Sequence, residues 1–214
     1  MLISKESIYY PLVTSRCLFN QINENPKEKY IFYAGSLNNR KDGVDYLIKA
    51  FSKIKTQLPD IKLVIAGNSS KKDLEHIKKL IAQLQVGNIS FLGQISREQI
   101  PQYVTNAMLC ILPRPDSPQA RGGFPTKLGE YLASATPVIT TNIGEIPDYL
   151  TKKEVYYISK EKIAEELPEK ILEVLFNYDK ARVVGHNGYL KARKSFSLES
   201  NSVQLRNFIN SIVN

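Results

Sequence analysis

The chain has 214 residues, 43% hydrophobic and 23% charged, enough for one full core, and no stretch has the composition of a disordered segment. Lysine and arginine outnumber aspartate and glutamate by 29 to 21, and the formal charge of +8 favours anionic partners such as nucleotides or acidic lipid surfaces. The basic residues are scattered (Lys71, Lys72, Lys78, Lys79, Lys152, Lys153, Lys191, Arg193, Lys194) and not interleaved with aromatics, which argues against nucleic acid.

In chain order, Tyr30 to Ala34 reads as a buried strand ended by Gly35, and Val44, Leu47, Ile48, Phe51 and Ile54 mark a helix at 3.6-residue spacing. Ile61 to Ala66 is the next strand, ended by Gly67, followed by a helix marked by Leu74, Ile77, Leu80, Ile81 and Leu84. Ile89 to Leu92 ends at Gly93, and Ser96 with Gln99 is spaced as a capping box for a helix carrying Ile100, Tyr103, Val104 and Ala107. Met108 to Leu112 and Pro137 to Thr141 are further strands, and Val155 to Ile158 a short sixth. Two or three helices are predicted from Ile163 to Val213, broken by Gly185 and Gly188. Repetition of strand, glycine and helix predicts an α/β fold, a doubly wound parallel sheet with extra C-terminal helices. Cys17 and Cys110 make no disulfide framework, and Cys110 inside an apolar run reads as a reduced, buried thiol. The first residues lack a signal-peptide apolar core and no run reaches transmembrane length, so a cytoplasmic protein is expected.

The densest chemistry lies in Arg121-Gly122-Gly123-Phe124-Pro125-Thr126-Lys127-Leu128-Gly129-Glu130. Pro125 suits the first helical position, and the glycine pair keeps side chains away from a helix N-terminus able to receive an anion. Thr126, Lys127 and Glu130 share one face of that helix, while Leu128, Tyr131, Leu132 and Ala135 form the core-facing stripe. A lysine neutralises phosphate and a glutamate accepts two hydrogen bonds from vicinal hydroxyls, a pattern that fits a sugar nucleotide. A solvated helix face is the plainer alternative. The loop Gly35-Ser36-Leu37-Asn38-Asn39-Arg40 lacks G-x-G-x-x-G spacing, Ala66-Gly67-Asn68 lacks a ribose-binding acid, and no P-loop motif occurs. Arg40 and Lys41 precede a helix starting near Asp42-Gly43, so with Lys127 three cations at adjacent loops suit a diphosphate. His76 and His186 have no partner spacing for zinc or a triad, and no Asp-x-Asp pair is present to hold a metal. Asp116, Glu145 and Asp148 remain as loop carboxylates, the last two equally suited to capping a short helix.

Taken together, Tyr30 to Leu37, Arg40 to Leu47, Leu63 to Gly67, Asn88 to Gly93, Lys127 to Ala133 and Pro137 to Ile139 resemble the C-terminal, donor-binding domain of the GT-B retaining glycosyltransferases of group 1, family 4. Phe196-Ser197-Leu198-Glu199 resembles that family's closing segment, and Ile8 to Val13 its connector into the second domain. The resemblance implies a connector-like segment over 1–25, a Rossmann-like nucleotide-sugar domain over 26–160, and helices packing on it over 161–214. It implies that Lys41 contacts the donor diphosphate, that Glu130 holds the ribose hydroxyls, and that Gln94 and Ile95 lie beside the base. Gly35, Ser36, Arg40, Arg114, Gly122, Gly123, Phe124, Thr126 and Leu128 complete the implied donor site, with Lys41, Lys127 and Glu130 as its working residues.

Two positions depart from the family pattern. Its first motif glutamate falls on Gly122 and the arginine after the first-loop glycine on Ser36. In the Phe-Pro-Thr-Lys-Leu variant at Phe124 to Leu128, Lys127 is expected to take over phosphate contacts, helped by Arg114 or Arg121. The resemblance covers the donor half alone. The implied function is therefore the donor-binding half of a retaining glycosyltransferase, transferring sugar from a nucleotide diphosphate to a glycan or lipid-linked acceptor, without a metal or other cofactor. The acceptor site would come from a missing N-terminal domain or a partner subunit, with peripheral contact at the inner face of a membrane. A binding-only, regulatory module is the alternative.

Overall fold

The computed structural model describes residues 29–38 and 42–213. The connector-like segment over 1–25, Cys17, Arg40 and Lys41 lie outside the described residues.

Six strands form one sheet in the order β3-β2-β1-β4-β5-β6, every pair parallel. They are β1 (Tyr30–Ala34), β2 (Lys62–Ala66), β3 (Ile89–Gly93), β4 (Leu109–Leu112), β5 (Val138–Thr141) and β6 (Tyr156–Ile158). The central strands are continuous apolar or β-branched runs because helices cover both faces, leaving no solvent side to favour alternation. β1, β4 and β5 are accordingly buried throughout. β3, at the edge, is only partly covered. The doubly wound parallel sheet predicted from the sequence is present, with strand ends within one residue of those expected.

Successive residues of β1 point into two cores. Ile31 and Tyr33 join one with α1 (Val44–Ile54), α2 (Lys71–Leu84) and α7 (Ile163–Phe176), whereas Tyr30, Phe32 and Ala34 join the other. The second core is roofed by α3 (Ile100–Thr105), α5 (Thr126–Ala133) and α8 (Tyr178–Ser195). Two single turns, α4 (Pro118–Arg121) and α6 (Ile146–Tyr149), follow β4 and β5, and α9 (Leu198–Val213) packs against α8. Free Cys110 is buried in the second core. No described helix is long and apolar enough to cross a membrane. The Gln99 side chain accepts the Ser96 backbone N–H at 3.0 Å, one half of the capping box read from the sequence.

Three local expectations are corrected. Pro125 is the residue before α5, in extended conformation, and not its first helical position. Ala135 does not extend the helix stripe: the helix ends at Ala133, and Ala135 turns the chain with φ 60°. Gly185 and Gly188 do not break a helix. α8 runs through both, because with Ala181 and Ala192 they form a buried small-residue face on which the backbone of its neighbours lies. A Cβ at Gly185 would sit 2.3 Å from the Ala135 carbonyl oxygen and 2.9 Å from the Pro137 nitrogen. One at Gly188 would lie 2.7 Å from a Leu132 methyl and 3.0 Å from the Glu154 oxygen. Intrinsic propensity penalises glycine in a helix by about 1 kcal/mol relative to alanine, and close packing overrides it. Gly185→Ala is therefore expected to destabilise the fold, an overpacking cost of about 1–3 kcal/mol exceeding the propensity gain. Urea unfolding checks this, and a more stable variant would show that close approach is not what retains the glycine.

Candidate functional site

The strand order reverses between β1 and β4, and the carboxyl ends of the strands open there into a crevice, the place where ligands bind in open parallel sheets. A cavity of about 340 Å³ occupies it. Its floor is the tight run of loops after β1, β2 and β3, where Gly35 N–H donates to Ala66 O at 2.9 Å and Gly67 N–H to Gly93 O at 2.8 Å. Gly35, Ser36, Gly67, Asn68, Gln94, Ile95 and Ile100 line it on that side, and Lys127 and Glu130 line it from α5.

Helix α5 is locked to the sheet by one buried phenol. The Tyr131 hydroxyl accepts the Ala34 N–H at 2.7 Å and donates to the Ala34 carbonyl at 3.3 Å. Burial drives the Tyr131 pKa well above its usual value, so the hydroxyl stays a donor as well as an acceptor. Lys127 and Glu130, one turn apart, are thereby fixed at the cavity wall. The Lys127 ammonium donates to Asp42 Oδ2 at 2.9 Å. Asp42, 3% exposed, also accepts the Ser36 N–H at 3.0 Å.

Of the residues expected in the site, Gly35, Ser36, Gln94, Ile95, Lys127 and Glu130 meet around the cavity. The other expected residues that the structure describes do not line it. Arg114, 5% exposed, donates to the carbonyls of Gln119 (2.9 Å) and Ala120 (3.5 Å), so its fork pins the α4 turn. Arg121 is engaged by Asp116 at 2.5 and 2.9 Å, and this pairing, joined by Lys160, lowers the Asp116 pKa to about 2. Phe124 is buried against Phe196 and Tyr149, with ring centres 4.8 and 5.5 Å away, and Leu128 is buried in the core. Both anchor the loop and helix. Thr126 opens α5. Gly123 has φ 86°, a conformation side chains rarely adopt, but Gly122 has φ −88° and ψ 100°, open to any residue. A Cβ there would meet only the Pro118 oxygen, at 3.5 Å. Neither the backbone nor its surroundings exclude a side chain at Gly122. Asp42 is the residue that reading the sequence missed; its one signal was an acid between Lys41 and Gly43 in an otherwise cationic loop.

His76 is paired with Asp45 at 2.7 Å on the far side of α1, away from the cavity. Among the described residues no three His, Cys, Asp or Glu side chains cluster as metal ligands. Glu130 is the carboxylate at the cavity wall, and burial raises its pKa against the opposing pull of Lys127 and Arg97. A raised folded-state pKa means that the stability contribution is complete below the unfolded value and lost as pH rises through the folded one. At neutral pH the ionised Glu130 thus costs stability. Glu130→Gln is expected to melt at a higher temperature than the parent at pH 7, with the difference shrinking at pH 4, and parallel thermal melts at both values decide it.

Comparisons with known proteins bear on the fold and the family. An uncharacterized glycosyltransferase of Methanocaldococcus jannaschii is 24% identical over 207 residues, covering 88% of this chain and 55% of its own. The capsular polysaccharide biosynthesis glycosyltransferase CapM of Staphylococcus aureus is 25% identical over 188 residues, covering 84% and 47%. The chain spans about half the length of these curated relatives. The Anabaena protein HepE, solved with UDP and glucose, superposes with a TM-score of 0.72 at 17% identity, over 86% of this chain and 48% of that one. The family described as glycosyl transferases group 1 matches residues 16–191, and the chain belongs to it.

Proposed function

We propose that this chain is the donor-binding half of a retaining glycosyltransferase, holding a nucleotide diphosphate sugar in the cavity at the β1–β4 switch point. The observation that carries the reading is the placement of Lys127 and Glu130 together on one wall of that cavity. Glu130 takes the ribose hydroxyls and Lys127 the diphosphate, while Gln94 and Ile95 flank the base. Arg40 and Lys41, in the loop after β1, add phosphate contacts. HepE in complex with UDP and glucose supports a uridine donor, and the place of CapM in capsular polysaccharide biosynthesis supports a glycan acceptor. A lipid-linked acceptor at the inner membrane face is the variant of this proposal that the basic surface favours.

In the reaction, the sugar's anomeric carbon exchanges its bond to the diphosphate for one to an acceptor oxygen. Negative charge builds on the departing diphosphate. Lys127, Lys41, Arg40 and the N-terminus of α5 stabilise that charge electrostatically, and the scheme calls for no metal. The acceptor comes from the other half of the closed enzyme, in a further domain or a partner subunit. Gly122 favours a second reading, a binding-only module, since a carboxylate near the donor sugar is missing although the backbone admits one.

Calorimetry with UDP, GDP and ADP at low salt tests the donor site. One of them is expected to bind better than millimolar, and failure of all three would end the reading. Glu130→Ala is expected to weaken binding by about 1.5–3 kcal/mol, the range for hydrogen bonds to a charged group. Because burial raises the Glu130 pKa, nucleotide affinity is also expected to fall as pH is lowered through the acid range, and to fall less steeply in Glu130→Gln, where only the titration of the ligand's own phosphate is left. Lys127→Met is expected to reduce diphosphate affinity about tenfold, about 1.4 kcal/mol, and leave the bare nucleoside unaffected. The isolated chain is expected to transfer no sugar, because catalysis depends on holding both reactants together. Robust transfer by the purified 214-residue protein would refute the half-enzyme reading.

A further inference from the structure

Asp42 is a buried charge that donor binding, as derived so far, leaves without a task. Its carboxylate sits where three segments meet. Oδ2 accepts the Ser36 N–H from the loop after β1 and the Lys127 ammonium from the first turn of α5. Oδ1 faces the Arg114 Nε at 4.0 Å, and Arg114 holds the turn that leads into Gly122-Gly123. A carboxylate this far from water persists only with its charge answered, and Lys127 and Arg114 answer it.

The tie also changes what Lys127 can do. A lysine ammonium has three donors on a flexible four-carbon stem, and fixing that stem costs rotamer freedom. Asp42 takes one donor and fixes the stem in advance, while the side chain remains 29% exposed at the cavity wall. Donors are left over for a second anion. We propose that Asp42 is a positioning residue for the nucleotide diphosphate, holding the Lys127 ammonium at the cavity wall and staying bound to it when phosphate arrives. The proposal rests on the donor-site reading above.

The sign of the effect discriminates. By charge alone Asp42 repels a diphosphate, so a residue that did nothing but contribute charge would, on removal, strengthen binding. A positioning residue does the opposite. The test uses the full chain and compares dissociation constants for uridine and UDP in the parent, Asp42→Asn, Lys127→Met and the double variant; their ratio measures what the diphosphate adds. Each single change is expected to lower that ratio about tenfold, and the double variant no further than Lys127→Met, with uridine affinity unchanged to about twofold. A ratio that rises or stays level in Asp42→Asn, or losses that add in the double variant, overturn the proposal. So does a parallel loss of uridine and UDP binding, the mark of a merely structural role. A ratio that depends on Lys127 but not on Asp42 defeats this proposal and leaves the donor site standing, whereas a parent that binds none of UDP, GDP or ADP defeats both.

Should Asp42→Asn melt below the assay temperature, the parent protein gives the answer by NMR of the lysine ammonium groups. The Lys127 signal, identified by its loss in Lys127→Met, is expected to be protected from exchange in the free protein and to remain so with UDP. Loss of that protection on adding UDP shows that phosphate displaces Asp42, and the proposal falls.

Discussion

The buried hydrogen bonds between the Tyr131 hydroxyl and the Ala34 backbone determine where everything else in the cleft can be. Ala34 ends the strand beside which the sheet reverses its order, and Tyr131 lies on the helix that carries Lys127 and Glu130, the charged side chains among the described residues lining the cavity. In a dry interior such bonds are costly to leave unmade, so helix and strand have one stable relative placement. From that placement follows the wall formed by Lys127 and Glu130. The loops after β1, β2 and β3 complete the cavity, and Gly67 lets the second pass close to the first, since a Cβ there would sit 1.7 Å from the Gly35 oxygen.

Among the described residues, charge around the crevice is arranged as a chain, not a patch. Asp42 stands between Lys127 and Arg114, and Lys127 in turn stands between Asp42 and Glu130. A second group, Asp116 with Arg121 and Lys160, secures the outer loop and keeps Arg121 from the cavity. The net basicity of the whole sequence is therefore a poor guide to the local field. Among the described residues, the cavity wall offers one cation whose stem is already held and one carboxylate whose burial is already a cost, a division familiar from sites that give up stability for function.

Strands and their order of appearance were legible because parallel strands buried on both faces are written as apolar runs, each closed by glycine or a polar turn. Lys127 and Glu130 were legible for a related reason: helical spacing alone puts them on one face. Less local features were not. Nothing in the neighbourhood of Asp42 indicates that a lysine 85 residues away will reach it, and an acid just before a glycine and a helix reads as an ordinary cap. Arg114 was expected at the phosphate from the family resemblance, but the chain folds back so that the guanidinium meets the carbonyls of Gln119 and Ala120. Gly185 and Gly188 were misread because propensity is a statement about an isolated helix, and here the contact with Ala135 and Leu132 decides.

The small-residue face of α8 has a mechanical consequence. Gly185 lets the helix rest on the turn that leads into β5, Gly188 lets it rest on Leu132 of α5, and the Phe124–Phe196 ring contact closes the far end. α5 is thus clamped from above by α8 and from below by the sheet, with no slack for it to tilt or slide alone. A ligand drawing on Lys127 and Glu130 pulls on the entire body. Moving α5 against the sheet would mean breaking these contacts together, so the wall formed by Lys127 and Glu130 is built as one piece with the fold.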